Sequence, residues 1–455
     1  MLPNCHSALL TDLYELTMAA AYFDSGFRAR ASFELFIRSL PAERSYLIAA
    51  GLEQALDYLE RVRFQPAEIE YLRRQPVFEH ISSGFFDYLH EFRFTGEVWA
   101  MPEGTPVFHE EPLLRVSAPI IEAQIVETFL LSTITFQTMI ASKAARIVDA
   151  AQGRDVIEFG TRRAHGPEAG TLAARAAYIG GCVGTSNVAA GQQFDIPVFG
   201  TLAHSFVMAY HDEEEAFRRF QQLFREHSVL LVDTYDTLGA IDKLINAGLR
   251  PAAVRLDSGD LYELSREVRR KLDAAGLRQT RIFATSDLDE YVISELLARG
   301  AQVDAFGVGT SLATSKDAPS LGGVYKLVDV YSEDGPSYRA KLSGGKATHP
   351  GCKQVCRGFA GDGMYCGDVI RRCTEDCAGA EPLLACVMRN GRKNGPSPSL
   401  QKVREYATQQ ILKLPAGVRR LHNPGAYPVR FSEELERLLD EFRSRFGQPV
   451  GKRAP

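Results

Sequence analysis

The sequence lacks any apolar run near the roughly 18 residues that a membrane-spanning helix needs. Its first seven residues have neither the basic start nor the long apolar stretch of a secretory signal. Eight cysteines in 455 residues are too few for a disulfide scaffold, so a reducing, cytoplasmic setting is expected. The formal net charge of -5 argues against a general nucleic-acid binder, although local basic clusters can still bind small anions. We therefore expect a cytoplasmic globular protein with no membrane and no nucleic-acid partner.

The length favours two or three domains, because one ordinary core does not extend over 455 residues. Residues 1–118 mix helix and strand patterns, including a helix over 8–23 with Thr11 or Asp12 as its cap. A long helical pattern over 121–149 follows, and strand candidates then alternate with helices. These candidates begin at residues 156, 197, 229, 253, 281 and 304. Such alternation predicts a parallel α/β unit, either a barrel or a wound sheet.

Polar clusters stand at the ends of these predicted strands. In a parallel unit, one edge of the sheet collects the carboxyl ends, so distant side chains converge there. The turn at 199–205 presents Thr201, His204 and Ser205 in this position. An imidazole there can act as a base, a metal ligand or a nucleophile, whereas a hydrogen-bonded, half-buried histidine is the alternative.

The hexad Arg-Leu-Asp-Ser-Gly-Asp at 255–260 is the cluster that most specifically indicates a binding site. Asp257 and Asp260 flank a Ser-Gly turn just past a predicted strand. Paired carboxylates at such a place can hold ribose hydroxyls or a magnesium ion that carries a diphosphate. A helix N-cap is the structural alternative for Ser258.

Two further turns fit anionic groups. Arg162 and Arg163 follow the strand candidate at 156, and a guanidinium group binds phosphate or carboxylate bidentately or stacks on a planar ring. The Gly-rich turn at 306–311 offers backbone amides and hydroxyls to a phosphate monoester. A ligand that combines phosphate, ribose and diphosphate groups would use all of these clusters.

Six segments taken together closely resemble the nicotinate phosphoribosyltransferase family. They are Thr-Asp-Leu-Tyr-Glu-Leu-Thr-Met at 11–18, Phe-Gly-Thr-Arg-Arg at 159–163, Gly-Thr-Leu-Ala-His-Ser-Phe at 200–206, the hexad at 255–260, Gly-Val-Gly-Thr at 307–310 and Ser-Leu-Gly-Gly-Val-Tyr-Lys at 320–326. The resemblance implies the type II phosphoribosyltransferase architecture, an irregular α/β barrel packed with an α+β sandwich domain. It implies residues 1–118 as the N-terminal sandwich domain, 119–325 as the barrel-like catalytic domain, and 326–455 as the segment that completes the sandwich.

The resemblance also implies a reaction. Nicotinate and 5-phosphoribosyl 1-diphosphate give nicotinate mononucleotide and diphosphate, coupled to ATP hydrolysis, with Mg²⁺, in NAD biosynthesis. The family members are usually homodimers with sites at the interface.

Residue roles follow by motif. The resemblance implies that His204 is phosphorylated by ATP and that Asp257 and Arg255 act in catalysis. It implies nicotinate contacts for Tyr14, Arg162, Thr201 and Arg255, with Tyr14 reaching the ring from the neighbouring subunit. It implies phosphoribosyl or phosphate contacts for Ser286, Gly307, Gly309, Thr310 and Lys326.

The cysteines depart from the family pattern. Cys352, Cys356, Cys366, Cys373 and Cys377 lie within 26 positions of a Cys-rich stretch at 352–386. They could bind a structural Zn²⁺, but the spacing is irregular and contains no Cys-x-x-Cys pair. Small buried thiols are the favoured interpretation.

Two other functions compete with the acid-specific enzyme. In the related nicotinamide phosphoribosyltransferase, an aspartate that receives the amide stands where this sequence has Ser186, so the acid substrate is favoured. A catalytically inert nucleotide-binding regulator on the same fold is the second alternative. Its weakness is that His204, Arg255 and Asp257 are all present.

Overall fold

A computed structural model describes residues 7–332, 335–343 and 346–446. The chain forms two compact units. Unit 1 comprises Met1–Thr138, Ser320–Ser399 and Gln409–Pro455, and unit 2 comprises Met139–Pro319 and Leu400–Thr408. Within the described residues, no helix is both long and apolar enough to cross a membrane.

The elements are numbered in chain order. The helices are α1 Leu13–Asp24, α2 Leu52–Arg61, α3 Pro66–Arg73, α4 Ser83–Glu91, α5 Ile120–Ile125, α6 Glu127–Ala150, α7 Pro167–Ile179, α8 Val188–Phe194, α9 His204–Met208, α10 Glu213–Phe224, α11 Thr237–Asn246, α12 Leu261–Ala274, α13 Glu290–Ala298, α14 Thr310–Ala313, α15 Leu400–Leu412 and α16 Glu433–Arg445. The strands are β1 Arg30–Ile37, β2 Leu47–Ile48, β3 Glu97–Ala100, β4 Pro106–Val107, β5 Pro112–Pro119, β6 Asp155–Glu158, β7 Gly184–Thr185, β8 Val229–Leu231, β9 Ala253–Leu256, β10 Arg281–Ala284, β11 Ala305–Val308, β12 Gly323–Ser332, β13 Gly335–Tyr338, β14 Lys353–Phe359, β15 Tyr365–Arg372, β16 Glu381–Pro382, β17 Ala385–Arg389, β18 Arg392–Lys393 and β19 Val429–Phe431.

Unit 1 is built on an antiparallel sheet in the order β13-β12-β1-β5-β3-β17-β18. Strand β1 is buried along nearly its whole length, because it lies between β12 and β5 and its apolar side chains enter the main core. Burial requires its one acidic side chain to be paired. Glu34 accordingly accepts both the backbone N–H and the Nζ of Lys353, each at 2.7 Å.

A second sheet of unit 1 has the order β16-β14-β15-β19 and carries most of the Cys-rich stretch. Arg357 and Asp368 form an ion pair at 2.6 Å between β14 and β15, with both side chains fully buried. A disulfide joins Cys356 to Cys377. The sequence analysis favoured thiols for the cysteines of this stretch, and for Cys356 and Cys377 that interpretation is wrong. One disulfide does not decide the redox setting of the protein, and the cytoplasmic location stays a prediction.

The structure also corrects the prediction of a possible zinc site at the five cysteines. The disulfide occupies the sulfurs of Cys356 and Cys377, and Cys352 is buried whereas Cys366 and Cys373 are exposed. Among the described residues, no group of three or more His, Cys, Asp or Glu side chains is arranged to hold a metal ion. The five cysteines therefore do not form the tetrahedral cluster that a structural Zn²⁺ requires.

Unit 2 is a parallel sheet in the order β7-β6-β11-β10-β9-β8, with helices between its strands. Three strands are each followed by a helix that begins at an aspartate N-cap. Asp236, Asp260 and Asp289 accept backbone N–H groups from the first turns of α11, α12 and α13. These caps satisfy amides that have no partner within the helix, and they end each turn close to the carboxyl edge of the sheet. The predicted fold class is confirmed.

Several predicted boundaries move. The structure begins α1 at Leu13, and Asp12 precedes it without capping it, because the Asp12 carboxylate accepts a hydrogen bond from Thr128 at 2.8 Å. The strand expected at 197–200 is reduced to an isolated bridge between Thr185 and Val198. The first predicted domain boundary, at 118/119, falls inside unit 1, because this unit extends into α6 as far as Thr138. Residues 400–408 of the predicted C-terminal segment belong to unit 2.

Candidate active site

A cavity of about 690 Å³ opens at the carboxyl edge of the parallel sheet of unit 2. The residues predicted for a site that line it are Arg162, Thr201, Arg255, Asp257, Ser286, Gly307, Gly309 and Thr310. Arg255 lies within β9 and Gly307 within β11. The others follow the carboxyl ends of β6, β9, β10 and β11 or, in the case of Thr201, lie in the turn before α9. The prediction that distant loops meet at one pocket of unit 2 therefore agrees with the structure for these eight residues.

Arg255 and Asp257 form the most ordered part of the cavity wall. Arg255 donates from Nη2 to Asp257 Oδ1 and from Nε to Thr285 Oγ1, each at 2.7 Å. The Thr285 hydroxyl also donates to Asp257 Oδ1. Partial burial raises the pKa of Asp257, but the Thr285 hydrogen bond and the Arg255 charge outweigh it, so the pKa lies below its ordinary value. Asp257 is thus held as a carboxylate.

His204 is the first residue of α9 and lies beside this network. Its Nε2 atom lies 3.8 Å from Asp257 Oδ2, and its Nδ1 atom lies 3.2 Å from Thr234 Oγ1. The imidazole is partly exposed, with 42% of its side-chain surface accessible. A ring held at one nitrogen and open on one side can accept a transferred group.

Asp233 and Thr234, just beyond β8, were not singled out from the sequence. Asp233 Oδ2 accepts the Ser258 hydroxyl at 2.5 Å and the Asp257 backbone N–H at 3.2 Å. Its Oδ1 atom is buried and has no hydrogen-bond partner among the described residues. The signal was available, because both residues directly follow an apolar run at the end of a predicted strand.

Ser286 and Gly307 show that the cavity constrains the backbone. Ser286 has a φ of 116°, a backbone conformation that residues other than glycine rarely adopt. A Cβ atom on Gly307 would lie 2.8 Å from Thr285 Cγ2 and 2.9 Å from the Phe283 ring. Glycine is therefore needed at 307, because the side chains of Thr285 and Phe283 leave no room for a Cβ atom.

Glu158, at the end of β6, shapes the turn that carries the arginines. Its buried carboxylate accepts the Gly160 backbone N–H and, at 2.6 Å, the Thr185 hydroxyl. Burial raises the pKa of Glu158. No local pattern in the sequence distinguishes Glu158 from the rest of its strand. Arg162 and Arg163, next in the turn, both line the cavity with exposed side chains.

Two predicted side chains have local partners instead. The Thr201 hydroxyl donates to the Val229 carbonyl at 3.0 Å, so Thr201 lines the cavity while holding the turn to β8. Asp260 accepts the Tyr262 and Glu263 amides as the cap of α12, and it is absent from the cavity wall. Asp257 therefore lines the cavity without Asp260, whose Oδ1 atom caps the helix, and a shared role of the two carboxylates stays a prediction.

Tyr14 and Lys326 belong to unit 1. Tyr14 lies on α1 with half of its surface exposed. Lys326 lies on β12 opposite Glu34 of β1, and its Nζ donates to the Tyr325 carbonyl at 3.0 Å. Their roles toward a ligand stay predictions.

Comparison with known proteins now identifies the family. The N-terminal domain model of nicotinate phosphoribosyltransferase matches residues 9–135, the family model matches 155–330 and the C-terminal domain model matches 371–439. Nicotinate phosphoribosyltransferase pncB2 of Mycobacterium tuberculosis is 48% identical, covering 96% of this chain and 94% of its own length. The enzyme of Bacillus subtilis is 39% identical, covering 94% of this chain and 93% of its own.

Solved structures agree with the sequence comparisons. The crystal structure of human nicotinic acid phosphoribosyltransferase superposes with a TM-score of 0.83 at 30% identity, covering 95% of this chain and 99% of that one. The likeness extends over both units and is not confined to the motifs. The chain belongs to the nicotinate phosphoribosyltransferase family.

Proposed function

We propose that this chain transfers the phosphoribosyl group of 5-phosphoribosyl 1-diphosphate to nicotinate, releasing diphosphate and forming nicotinate mononucleotide for NAD biosynthesis. The carrying observation is that Arg255, Asp257, Ser286 and the turn from Gly307 to Thr310 line one cavity. In the transfer, the pyridine nitrogen forms a bond to ribose C1 as the C1–O bond to diphosphate breaks. Positive charge develops on the sugar, and the Asp257 carboxylate would stabilise it.

The acid substrate is favoured by the charges in the cavity. Arg162, Arg163 and Arg255 can form ion pairs with the nicotinate carboxylate. The uncharged amide of nicotinamide cannot form such an ion pair and would bind less tightly. Ser186 also lines the cavity and supplies no carboxylate to receive an amide.

ATP coupling is the second part of the proposal. The Thr234 hydroxyl can accept a hydrogen bond from Nδ1–H of His204, which would leave the lone pair of Nε2 free. That nitrogen would attack the γ-phosphorus of ATP, forming an N–P bond as ADP departs. Hydrolysis of the phosphohistidine would then drive the transfer.

Mg²⁺ fits the acidic side of this site. Asp233 Oδ1 is a buried carboxylate oxygen that accepts no hydrogen bond within the part of the chain that the structure describes, and the Asp257 carboxylate is held ionised. Mg²⁺ commonly binds one or two carboxylates and takes its other ligands from substrate phosphates and water. Asp233 and Asp257 would hold the ion, which would supply charge to the departing diphosphate.

We also propose a homodimer in which Tyr14 completes the nicotinate site of the neighbouring subunit. Leu13 and Tyr14 are 53% and 50% exposed at the start of α1, an unusual exposure for two adjacent large apolar side chains. Mixing Tyr14→Ala with Asp257→Asn subunits tests this arrangement. Mixed dimers would regain activity that neither variant shows alone, and no recovery after proven subunit exchange would exclude it.

The decisive assay is incubation with nicotinate, phosphoribosyl diphosphate and Mg²⁺, with and without ATP, and chromatography of the mononucleotide. We expect nicotinate to be used faster than nicotinamide and ATP to raise the yield of product. Faster use of nicotinamide would overturn the substrate assignment. Ligand binding by calorimetry without diphosphate release would instead favour the inert regulator.

A further inference from the structure

The Cys-rich stretch of unit 1 holds a pair of facing thiols, Cys352 and Cys373. Lys353 of β14 pairs with Arg372 of β15 in an antiparallel register, so the next facing pair is Cys352 and Cys373. The Cys373 backbone N–H donates to the Cys352 carbonyl at 2.9 Å, which carries the pairing to this position. Cβ atoms of directly opposed residues lie about 4.5–5.5 Å apart, close to the range that a disulfide spans.

The two thiols differ in exposure and in environment. Cys352 is 7% exposed, whereas Cys373 is exposed to solvent. The facing Cys352 thiol, which can donate to the Cys373 sulfur, has the largest effect on Cys373 and lowers its pKa to about 6. Partial burial opposes this shift, and the positive charge of Arg115 supports it. The carboxylates of Glu34 and Asp329 act in the opposite direction.

We propose that Cys373 is a peroxide-reactive thiolate and that Cys352 is its resolving thiol. An exposed thiolate beside a second, protected thiol is the arrangement typical of redox-active cysteines. A disulfide already joins Cys356 to Cys377 in this segment, each four residues further along the chain than its counterpart in the pair. Oxidation would therefore add a second bridge between the same two parts of the chain.

The chemistry proceeds in two balanced steps with a hydroperoxide as oxidant. The Cys373 thiolate attacks one peroxide oxygen, the O–O bond breaks, and Cys373 sulfenic acid and hydroxide form. The Cys352 sulfur then attacks the sulfenic sulfur, the S–O bond breaks, and the hydroxyl leaves as water with the Cys352 proton. Two electrons pass from the two thiols to the peroxide, and a small-molecule dithiol reverses the change.

Peptide mapping of the full-length protein tests this proposal. The protein is treated with equimolar hydrogen peroxide, its remaining thiols are blocked with N-ethylmaleimide, and it is digested without reduction for mass spectrometry. We expect a linked peptide pair containing Cys352 and Cys373, lighter by two hydrogen atoms than the sum of the free peptides. Cys366 is the internal comparison, because it is an exposed cysteine in the same stretch and should remain alkylated.

Variants separate the two roles. In Cys352→Ser, the sulfenic acid on Cys373 should persist and be captured by dimedone, with several times more label than in the wild type. In Cys373→Ser, both the bridge and the label should be lost, and Cys366→Ser should change neither. Cys352→Ala is a second variant in case serine disturbs the buried position. Equal labelling of Cys366 and Cys373, or a wild-type protein that forms no bridge while Cys373 is oxidised, would overturn the proposal.

Discussion

The Nδ1 atom of His204 lies 3.2 Å from the hydroxyl oxygen of Thr234, thirty residues further along the chain. The contact joins the first residue of α9 to the loop that follows β8. A hydroxyl at Nδ1 fixes the plane of the imidazole and biases which nitrogen carries the proton. It thereby influences whether Nε2, which lies 3.8 Å from Asp257 Oδ2, carries a proton or a free lone pair.

Replacing Thr234 with valine should weaken the coupling of ATP to product formation. Valine keeps the shape of the side chain but removes the hydrogen bond, whose net value is about 1 kcal/mol. Because 1.4 kcal/mol corresponds to about tenfold in rate, a loss of about 1 kcal/mol should lower ATP-coupled turnover about fivefold. Parallel measurement of ADP and mononucleotide gives the ratio of ATP spent to product formed.

The control for this variant is Thr234→Ser, which keeps the hydroxyl and removes only a methyl group. It should retain most of the coupling. His204→Ala marks the limit, at which ATP hydrolysis is lost and only slow ATP-independent synthesis remains. If Thr234→Val consumed ATP at the wild-type ratio, the contact would have no part in phosphoryl transfer.

Gly307→Ala should damage the cavity through steric contact. The new Cβ would lie 2.8 Å from Thr285 Cγ2 and 2.9 Å from the Phe283 ring, closer than carbon atoms pack. Overpacking of this kind costs typically about 1–3 kcal/mol. We expect a lower melting temperature and a raised KM for phosphoribosyl diphosphate, measured by calorimetry and by initial rates.

Gly417→Ala is the matched control, because, of the residues described, none beyond its two chain neighbours has an atom within 4 Å of the position its Cβ would take. It should leave the melting temperature within error or raise it slightly, since alanine restricts the unfolded chain. Equal effects of the two alanines would show that Gly307 is not held by its neighbours.

Asp257→Asn should destabilise the protein in a pH-dependent way. The folded-state pKa of Asp257 lies below its ordinary value. The carboxylate therefore contributes stability above its unfolded pKa, and this contribution is lost as the pH falls through the folded pKa. The variant should be less stable than the wild type at pH 7, and the difference should shrink as the pH falls below about 4, the ordinary range for aspartate.

Asp287→Asn provides the comparison, since Asp287 also lines the cavity but lies outside the network of Arg255 and Thr285. Urea unfolding at several pH values measures both variants. A constant difference between Asp257→Asn and the wild type, from neutral to acidic pH, would argue against an ionised Asp257 stabilised by its neighbours.

The positions of site residues were predicted correctly from the sequence where they depend only on neighbouring residues in the chain. Asp257 and the Gly307 turn follow short apolar runs, and parallel strands deliver such ends to one edge. The same rule extends to Asp233 and Thr234. Their partners Ser258 and His204 depend on how distant strands pair, which no local pattern specifies.

The failures have equally physical causes. Val198 and Phe199 resemble a buried strand by composition, yet they are 49% and 40% exposed, and Val198 takes part in an isolated bridge to Thr185. Burial depends on what the rest of the chain places against a residue. Asp12 has the chemistry of a helix cap, but the hydroxyl of Thr128 takes its carboxylate, and this competitor lies more than a hundred positions away.

A buried acidic cluster in unit 1 leads to the last prediction. Glu127 and Glu15 both accept hydrogen bonds from the side-chain amide of Gln124, the one to Glu127 at 3.2 Å. Burial, and then the charge of Glu15, raise the pKa of Glu127 to about 7. Between the unfolded pKa, near 4.5, and 7 the folded state holds the proton more tightly than the unfolded state. Stability should therefore fall as the pH rises through this window.

Glu127→Gln should remove most of that loss, because an uncharged amide can still accept from Gln124 without requiring a proton. At pH 8 the variant should be more stable than the wild type by up to about 3 kcal/mol, since each unit of pKa shift corresponds to about 1.4 kcal/mol. Near pH 5 the two proteins should be similar, as Glu127 is protonated in the folded state there. Glu91→Gln, at an exposed position on α4, should show no such divergence. If the melting temperatures of Glu127→Gln and the wild type changed in parallel from pH 5 to pH 8, Glu127 would already be ionised in the folded protein. Its charge would then be balanced by a group other than Gln124.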